Sequence, residues 1–304
     1  KGVKPESVAK NEVKFRMKPG MTLALEPNGD RHHALIVSAA NKDEAAPSKG
    51  DRQVKYFGPG FHRAGEIRLG DGETAYFAPG AWVEGHIIAK GRNIKVAGSG
   101  VLSGANHQWG LPPKMTGEVP SIGGLASLSG ENIEVKDITF FSSYGWTLVL
   151  NYVTNAVVDN VKIIGSRVIN DDGIDVCRAK DVIVRNSFVR CQDDCLAPEY
   201  WCQNLVATNL TIWTDAANAL RLGYECMPKA AGLDYRNLVF KDIDVLHLTT
   251  KPTNKPSNYW TECAILLQAA FGQTMGDILI EDWRFHEVAE HDIFFNAKTM
   301  GISQ

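Results

Sequence analysis

The feature that most constrains this chain is a short motif that recurs along most of its length. Each copy begins with Asn or Asp, alternates apolar and variable residues, and ends with another Asn, Asp or Gly. Copies start at Asn93, Asn132, Asn155, Asp181, Asn204, Asn237 and Asp277. The copies at 132, 155, 181 and 204 are 23, 26 and 23 residues apart, and the longer intervals elsewhere leave room for loop insertions.

A repeat of this length, built from short alternating strands, predicts a parallel β-solenoid. One coil cannot bury its inward face alone, whereas stacked coils share a continuous core. Asn suits the bends, because its side chain can bond backbone groups and align with its counterpart in the next coil. An antiparallel β-sandwich also has regularly spaced strands, but it gives no reason for one motif to recur. We therefore predict an all-β fold, a right-handed parallel β-helix (solenoid).

The N-terminal segment lies outside the repeat and predicts a small β cap. Residues 13–17 and 21–26 alternate apolar and polar side chains around Lys18-Pro19-Gly20, which indicates a β-hairpin. We accordingly divide the chain into an N-terminal β cap segment, residues 1–50, and a parallel β-helix domain, residues 51–304, which carries the predicted site.

Charge and hydropathy argue against two classes of partner. The 304 residues carry a net charge of −3, which gives no electrostatic reason to bind nucleic acid or an anionic membrane. No apolar run approaches the roughly 20 residues that a membrane span needs. We expect a secreted or periplasmic monomer whose signal peptide is not part of this sequence.

The six cysteines are interpreted as buried thiols, although a bridge such as Cys195–Cys202 would indicate an oxidising compartment.

Acidic residues concentrate on either side of one copy of the motif. Asp171, Asp172 and Asp175 precede it, and Asp193 and Asp194 follow it. Position 172 is 21 residues before 193 and 22 before 194, which is close to one coil. Stacked strands lie roughly 4.8 Å apart, so Asp172, Asp193 and Asp194 are expected to lie well within roughly 10 Å of one another.

Closely spaced carboxyl groups are what glycosidic hydrolysis requires. One protonates the leaving oxygen and another activates water, and mutual repulsion raises one pKa so that a carboxyl stays protonated near neutral pH. Aspartates at bends also cap turns, which is the role we favour for Asp171 and Asp181, and a carboxylate cluster can hold Ca²⁺. For Asp172, Asp193 and Asp194 we favour catalysis, because adjacent acids facing a third cost stability.

Two segments resemble motifs of the polygalacturonases, glycoside hydrolase family 28. Asn170-Asp171-Asp172-Gly173-Ile174-Asp175 is similar to the family's Asn-Thr-Asp-Gly-x-Asp, and Gln192-Asp193-Asp194-Cys195-Leu196-Ala197 to its Gly-Asp-Asp-Cys-(Ile/Val)-Ala. The resemblance implies a right-handed β-helix and single-displacement hydrolysis with inversion. It implies that Asp193 is the general acid, that Asp172 and Asp194 hold and deprotonate the water, and that Asp175 supports them.

Two departures from that family concern the substrate. Asn218 stands near the place of the family's Gly-His-Gly histidine, and the Arg-Ile-Lys motif that binds galacturonate is missing, with only Lys251 at a comparable distance. Residues 211–225 and the later Asp244-Val-Leu-His247 are more similar to family 49, the dextranases and isopullulanase of the same clan. We therefore favour a neutral or lightly charged glucan or galactan over polygalacturonate.

Further candidate contacts with substrate surround the same coils. Arg221, Tyr224 and Glu225 follow Asn218 on an otherwise apolar segment, and Trp146 lies in the turn one coil before Asp172. The complete set of predicted substrate-binding residues is Asp175, Asn218, Arg221, Tyr224, Glu225, Lys251 and Trp146.

The sequence thus predicts a dextranase-like or polygalacturonase-like glycoside hydrolase that acts on a polysaccharide or oligosaccharide without a metal or other cofactor. Two alternatives stay open. A polysaccharide lyase on the same fold would need Ca²⁺ and a basic residue to abstract a proton, and the sequence places no basic residue clearly beside the aspartates. A non-catalytic glycan-binding solenoid would give no reason to juxtapose Asp172 with Asp193 and Asp194.

Overall fold

The computed structural model is built almost entirely from β-strands. It describes residues 3–41, 46–107, 124–165, 167–223, 234–248, 264–270, 273–288 and 295–300. Within these ranges the helical segments are two 3₁₀ turns, Pro27–Gly29 and Arg31–His33. No helix in the same ranges is long and apolar enough to cross a bilayer. The backbone divides into two compact units, Lys1–Ala45 and Ala46–Gln304.

The first unit consists of two short antiparallel hairpins. Strand β1 (Ser7–Ala9) pairs with β2 (Glu12–Lys14), and β3 (Thr22–Leu25) pairs with β4 (Leu35–Ser38). The role of this segment as a cap stays a prediction.

The hairpin predicted between residues 13–17 and 21–26 is wrong. The segment at Val13 turns back onto β1, and Gly20 donates its backbone N–H to the carbonyl O of Ala39 at 2.8 Å, which joins the turn at Gly20 to the second hairpin. Alternation located strand-forming segments but not their partners, because turn geometry and register decide which strands pair.

The second unit is a stack of coils built from one 17-stranded sheet. Its strands are β5 (Val54–Phe57), β6 (Gly60–Leu69), β7 (Thr74–Phe77), β8 (Ala81–Ala97), β9 (Val101–Ser103), β10 (Ala126–Lys136), β11 (Thr139–Phe141), β12 (Leu148–Asp159), β13 (Lys162–Ile164), β14 (Ile174–Arg185), β15 (Phe188–Cys191), β16 (Leu196–Thr214), β17 (Leu220–Gly223), β18 (Tyr235–Leu248), β19 (Ile265–Ala270), β20 (Met275–Val288) and β21 (Phe295–Met300).

Parallel pairing between successive coils defines the architecture. The long strands β8, β10, β12, β14, β16, β18 and β20 pair in that order, each with its counterpart one coil further on. Parallel crossovers of this kind are right-handed in nearly all proteins. The predicted right-handed parallel β-helix is confirmed.

The core runs through the coils as columns of apolar side chains. One buried column in register is Ile94, Ile133, Ala156, Val182, Leu205 and Leu238. A second column, two residues further along each strand, is Val96, Val135, Val158, Val184, Ala207 and Phe240. Each coil therefore covers the apolar face of the coil before it, and the alternation in the repeated motif follows from this burial.

The recurring Asn and Asp residues form ladders at the bends, as predicted. The side-chain amide of Asn132 donates to Asn93 Oδ1 at 3.0 Å, that of Asn155 to Asn132 Oδ1 at 2.7 Å, and that of Asn204 to Asp181 Oδ1 at 2.6 Å. The φ angles of these residues lie between 56° and 59°, in the left-handed region that Asn and Asp tolerate better than other side chains. Backbone conformation and side-chain bonding thus both select the first residue of each motif.

Gly130 lies where two neighbouring coils approach each other closely. Its φ is +120°, and a Cβ at this position would overlap the backbone O of Gly91 in the preceding coil. We expect Gly130→Ala to lower the free energy of unfolding by about 2–4 kcal/mol, because backbone strain adds to an overlap that only coil separation relieves. Gly276→Ala is the matched control, since a Cβ there meets nothing within 4 Å. Equal losses in urea titrations of the two variants would contradict this account.

Candidate active site

Backbone pairing aligns the residues that precede three neighbouring strands. Thr147 donates its N–H to the carbonyl O of Asp172 at 2.9 Å, Gly173 donates to Asp194 at 2.8 Å, and Cys195 donates to Asn218 at 2.9 Å. Asp172, Asp194 and Asn218 therefore occupy equivalent positions in consecutive coils. Residues that are about one coil apart in the sequence, such as Asp172 and Asp194, are therefore neighbours in space.

The three aspartates that the sequence singled out meet at this point. One carboxylate oxygen from each of Asp172, Asp193 and Asp194 lies within 4.8 Å of the other two. The residues are 4%, 8% and 0% exposed, respectively. Three carboxyl groups so close and so buried cannot all be ionised without compensating charge.

Asp194 receives that compensation from the next coil. Arg221 Nη1 donates to Asp194 Oδ2 at 2.7 Å, and Asn218 donates to Oδ1 from its side-chain amide at 2.7 Å and from its backbone N–H at 3.0 Å. Arg221 is itself only 5% exposed. An ion pair with additional hydrogen bonds is the arrangement that keeps a buried carboxylate charged.

The other two carboxyl groups are pushed toward their protonated forms. Burial, followed by the charges of Asp175, Asp193 and Asp194, raises the pKa of Asp172 well above its usual range. Burial and the charge of Asp194 raise the pKa of Asp193 to about 7, against a smaller opposing effect of Arg221. Within the part of the chain that the structure describes, Asp172 Oδ1 is buried without a hydrogen-bond partner.

The arrangement can perform acid–base chemistry. It combines a carboxyl group bonded to a guanidinium, Asp194, with two carboxyl groups whose pKa values are raised by burial, so otherwise identical side chains have different surroundings. The same three oxygens could also surround a cation, because carboxylates are the preferred ligands of Ca²⁺.

Asp171 has a structural role, as favoured from the sequence. Its side chain accepts the backbone N–H of Arg167 at 2.9 Å and that of Gln192 at 2.6 Å, which joins the turns before β14 and β16. Asp175 lies on β14, is fully buried, and contributes to the raised pKa of Asp172.

The residues predicted to bind substrate differ in their burial and in their contacts with the aspartates. Asn218 and Arg221 are buried and bonded to Asp194. Trp146 is half-buried and occupies the position equivalent to Asp172 one coil earlier. A role in substrate binding stays a prediction for these residues and for Asp175. Outside the described residues lie Tyr224, Glu225 and Lys251.

Arg221 also corrects one expectation from the sequence. No basic residue was expected beside the aspartates, yet this guanidinium contacts Asp194 directly. Leu196 pairs with Leu220, so Arg221 directly follows a residue held in register with the coil of Asp194. The spacing of residues in the sequence does not show how far the Arg221 side chain extends.

Sequence reasoning missed a second polar group on the same strands. Arg178 is 3% exposed, donates from Nη1 to Asn151 Oδ1 at 3.0 Å, and places its guanidinium 3.4 Å from the ring centroid of Tyr200 and 5.0 Å from that of Tyr152. A signal was present, because polar or aromatic pairs end the same strand segment in three consecutive coils: Asn151-Tyr152, Cys177-Arg178 and Glu199-Tyr200.

The cysteines near the aspartates are thiols. Cys177, Cys191, Cys195 and Cys202 are free and buried. Cys195 Sγ lies 3.3 Å from the sulfur of Cys191 rather than bonded to Cys202, so the bridge considered from the sequence is not formed. Burial raises the pKa of the Cys191 and Cys202 thiols, which keeps them protonated.

Comparison with known proteins identifies the family. The profile of glycosyl hydrolases family 28 matches residues 55–215, more than half of the chain. The chain belongs to glycosyl hydrolases family 28. The family 28 match includes Asp172, Asp193 and Asp194 and ends before Asn218 and Arg221.

Individual relatives of this family 28 chain are distant. The isopullulanase of Aspergillus niger is 26% identical over 188 residues, 57% of this chain and 32% of that protein. A probable exopolygalacturonase B of Aspergillus terreus is 27% identical over 147 residues, 44% of this chain and 33% of that protein. The chain covers about a third of the length of these curated relatives. The family 28 exopolygalacturonase of Yersinia enterocolitica aligns with a TM-score of 0.45 and 14% identity, covering 88% of this chain and 79% of that one.

Replacing Arg221 tests whether its ion pair compensates Asp194. We expect Arg221→Met to lower the free energy of unfolding by about 3–5 kcal/mol at neutral pH, because it leaves a buried carboxylate unpaired. The double variant Arg221→Met/Asp194→Asn removes that charge and should recover most of the loss. Arg185→Met is the control: its pair with Asp159 is 46% and 14% exposed, so a loss under about 1 kcal/mol is expected. A double variant as unstable as Arg221→Met would contradict the pairing role.

Proposed function

We propose that this protein hydrolyses glycosidic bonds in a polysaccharide by general acid–base catalysis with Asp172, Asp193 and Asp194. The observation that carries the proposal is the unequal surroundings of three buried carboxyl groups: among the described residues, Arg221 and Asn218 donate hydrogen bonds to Asp194. Membership of family 28 supports the reaction class.

Asp193 is the general acid in this proposal. It is the most exposed of the three aspartates, and a pKa of about 7 leaves it protonated in mildly acidic solution yet able to release the proton. The backbone N–H of Asp194 donates to Asp193 Oδ1 at 3.0 Å, which restrains the carboxyl group. The proton passes from Asp193 to the glycosidic oxygen as the bond from that oxygen to C1 breaks.

Asp194 is the base, and Asp172 holds the water. Three donors occupy three of the roughly four acceptor positions of the Asp194 carboxylate, so one position is left to accept a proton. Asp172 Oδ1, which is without a partner among the described residues, is available to bond the same water. The water attacks C1 and transfers its proton to Asp194, which leaves a hydroxyl group at C1.

Inversion at C1 forms part of the proposal. Inverting enzymes commonly separate their carboxyl groups by about 6.5–9.5 Å and retaining enzymes by about 5–5.5 Å. The nearest oxygens of these aspartates lie within 4.8 Å, so spacing does not favour inversion. Inversion is supported by the resemblance of residues 170–175 and 192–197 to the family motifs, which implies a single displacement by water.

A neutral or lightly charged glucan or galactan is the proposed substrate. The absence of an Arg-Ile-Lys segment and the presence of Asn218 in place of a histidine support this choice. Because a polymer too large to enter a cell must be cleaved outside it, secretion or export to the periplasm belongs to the same proposal, as does monomeric action.

A polysaccharide lyase is the second candidate. Two observations favour it: the three carboxylate oxygens could hold Ca²⁺, and Arg221 supplies the basic residue that the sequence did not place there. The ion pair with Asp194 opposes this reading, because it stabilises the protonated guanidinium, whereas a lyase needs a base that accepts a proton.

A panel of polysaccharides distinguishes the candidates. Wild type and Asp193→Asn are incubated with dextran, pullulan, galactan and polygalacturonate, with and without a chelator. We expect new reducing ends from wild type, no absorbance of unsaturated products, no effect of the chelator, and a rate at least about 100-fold lower in Asp193→Asn. Chelator-sensitive unsaturated products would establish a lyase instead. Proton NMR of the first products reports the anomeric configuration, and retention would exclude the proposed water attack.

The pH dependence of hydrolysis tests the role of Asp193. A general acid acts only while protonated, so kcat/KM is expected to fall as pH rises through about 7, by about tenfold per pH unit above it. Arg221 opposes the rise of this pKa. The double variant Arg221→Met/Asp194→Asn removes both Arg221, which lowers the pKa of Asp193, and the charge of Asp194, which raises it. Its pH profile therefore does not report on Asp193, and the variant serves only as a structural control. A flat profile between pH 6 and 9 in wild type would contradict the assignment.

A further inference from the structure

A pocket of about 900 Å³ lies away from the aspartates, at the bend that follows the first segment of the long strands. Its lining comes from successive coils and includes Lys90 on β8, Ser129 and Glu131 on β10, and Tyr152 and Thr154 on β12. These coils are the three that precede the coil of Asp172. The active-site chemistry described above uses none of these residues.

The distance from the aspartates suits a polymer rather than a single sugar. The lining strands lie about one to three coils before β14, which is roughly 5–15 Å along the stack. Asp172 lies two residues before β14, whereas the bend follows Cys177, so roughly 16 Å of extended chain separates them. Because the separation exceeds the length of one sugar ring, a ligand that occupies both places must contain several units.

Two glycines keep the pocket open. Gly91 and Gly130 line it, with φ angles of +154° and +120°. A Cβ on Gly130 would overlap the backbone O of Gly91, so no side chain can fill this recess without separating the coils. The concavity is therefore a fixed property of the backbone.

Tyr152 stands where the next coil gains one residue. The register of β10 against β12 shifts between Leu128 and Gly130, and Tyr152 lies in the longer segment of β12 and is 50% exposed. Its φ of 55° is rare for an aromatic residue and costs about 1–3 kcal/mol. Strain of this kind persists where the surroundings enforce it, and such positions cluster at functional sites.

The ring of Tyr152 is also held from behind. Arg178 is 3% exposed, and its guanidinium lies 5.0 Å from the centroid of the Tyr152 ring. The same guanidinium lies 3.4 Å from the centroid of the Tyr200 ring. A fixed, half-exposed aromatic ring beside hydroxyl, amine and carboxylate groups combines the two features that bind a pyranose: an apolar surface for its C–H face and polar groups for its hydroxyls.

The charges of the pocket indicate which saccharide it fits. Lys90 and Arg92 are balanced by Asp71 and Glu131, and Arg92 pairs with Glu131 at 3.3 Å. A chain of uronates would meet as much repulsion as attraction here, whereas uncharged sugars lose nothing. We propose that the pocket at Tyr152 is a distal subsite for neutral pyranose units of the polysaccharide whose cleavage is proposed above, with Tyr152 as its stacking surface.

The test measures binding separately from hydrolysis. Native gels containing dextran, pullulan, galactan or polygalacturonate retard a protein in proportion to its affinity. All variants carry Asp193→Asn so that the gel is not digested. Tyr152→Asn removes the ring but suits the left-handed backbone, Tyr152→Phe keeps the ring, and Phe61→Ala removes an exposed aromatic residue that does not line the pocket.

We expect retardation by a neutral polysaccharide, an affinity about tenfold lower for Tyr152→Asn, and near-parental affinity for Tyr152→Phe and Phe61→Ala. Equal retardation of all variants, or none in any gel, would overturn the subsite. Loss of retardation confined to polygalacturonate would overturn its neutral ligand class. If wild type hydrolyses nothing while retardation still depends on Tyr152, the proposed function fails and the subsite stands. If wild type hydrolyses a polysaccharide while retardation is independent of Tyr152, the subsite fails and the proposed function stands.

Discussion

Each coil of this protein depends on its neighbours for both its hydrogen bonds and its core. Strand β14 is bonded on one side to β12 and on the other to β16, and its inward side chains continue columns that begin several coils away. A coil on its own would leave that apolar face in water. Close approach of the coils is therefore a requirement, and it explains why a glycine such as Gly130 is needed where two backbones nearly touch.

The same stacking creates the electrostatic conflict at the centre of the site. Equivalent positions in adjacent coils lie one strand spacing apart, so Asp172 and Asp194 are forced together by the backbone rather than by mutual attraction. Arg221 and Asn218 reach Asp194 from the following coil and compensate its charge. Consecutive coils thus contribute different groups to one cluster, and this asymmetry gives chemically identical side chains different surroundings.

Features that follow from the spacing of residues along the chain could be predicted from the sequence. Features that depend on how far a side chain extends in the folded structure could not. The repeat gave the coil length, the ladder at Asn132 and the meeting of Asp172 with Asp194, because strand stacking converts sequence distance directly into position. The partner of Arg221 depends on the conformation of a long side chain, which the spacing of residues in the sequence does not specify. The position of Tyr152 depends on a single additional residue at one bend, which is too small a change to stand out within repeat intervals of 23 to 26 residues.

The ladder of side-chain amides makes the coils interchangeable units. Asn155 bonds to Asn132 in the same way that Asn132 bonds to Asn93, so each rung offers the next one an identical surface. A lineage can therefore gain or lose a coil at a distance from the aspartates by duplication or deletion, and every such event alters the length of the stack by about 4.8 Å. In this architecture the number of coils and the geometry of the aspartate cluster can change independently of each other.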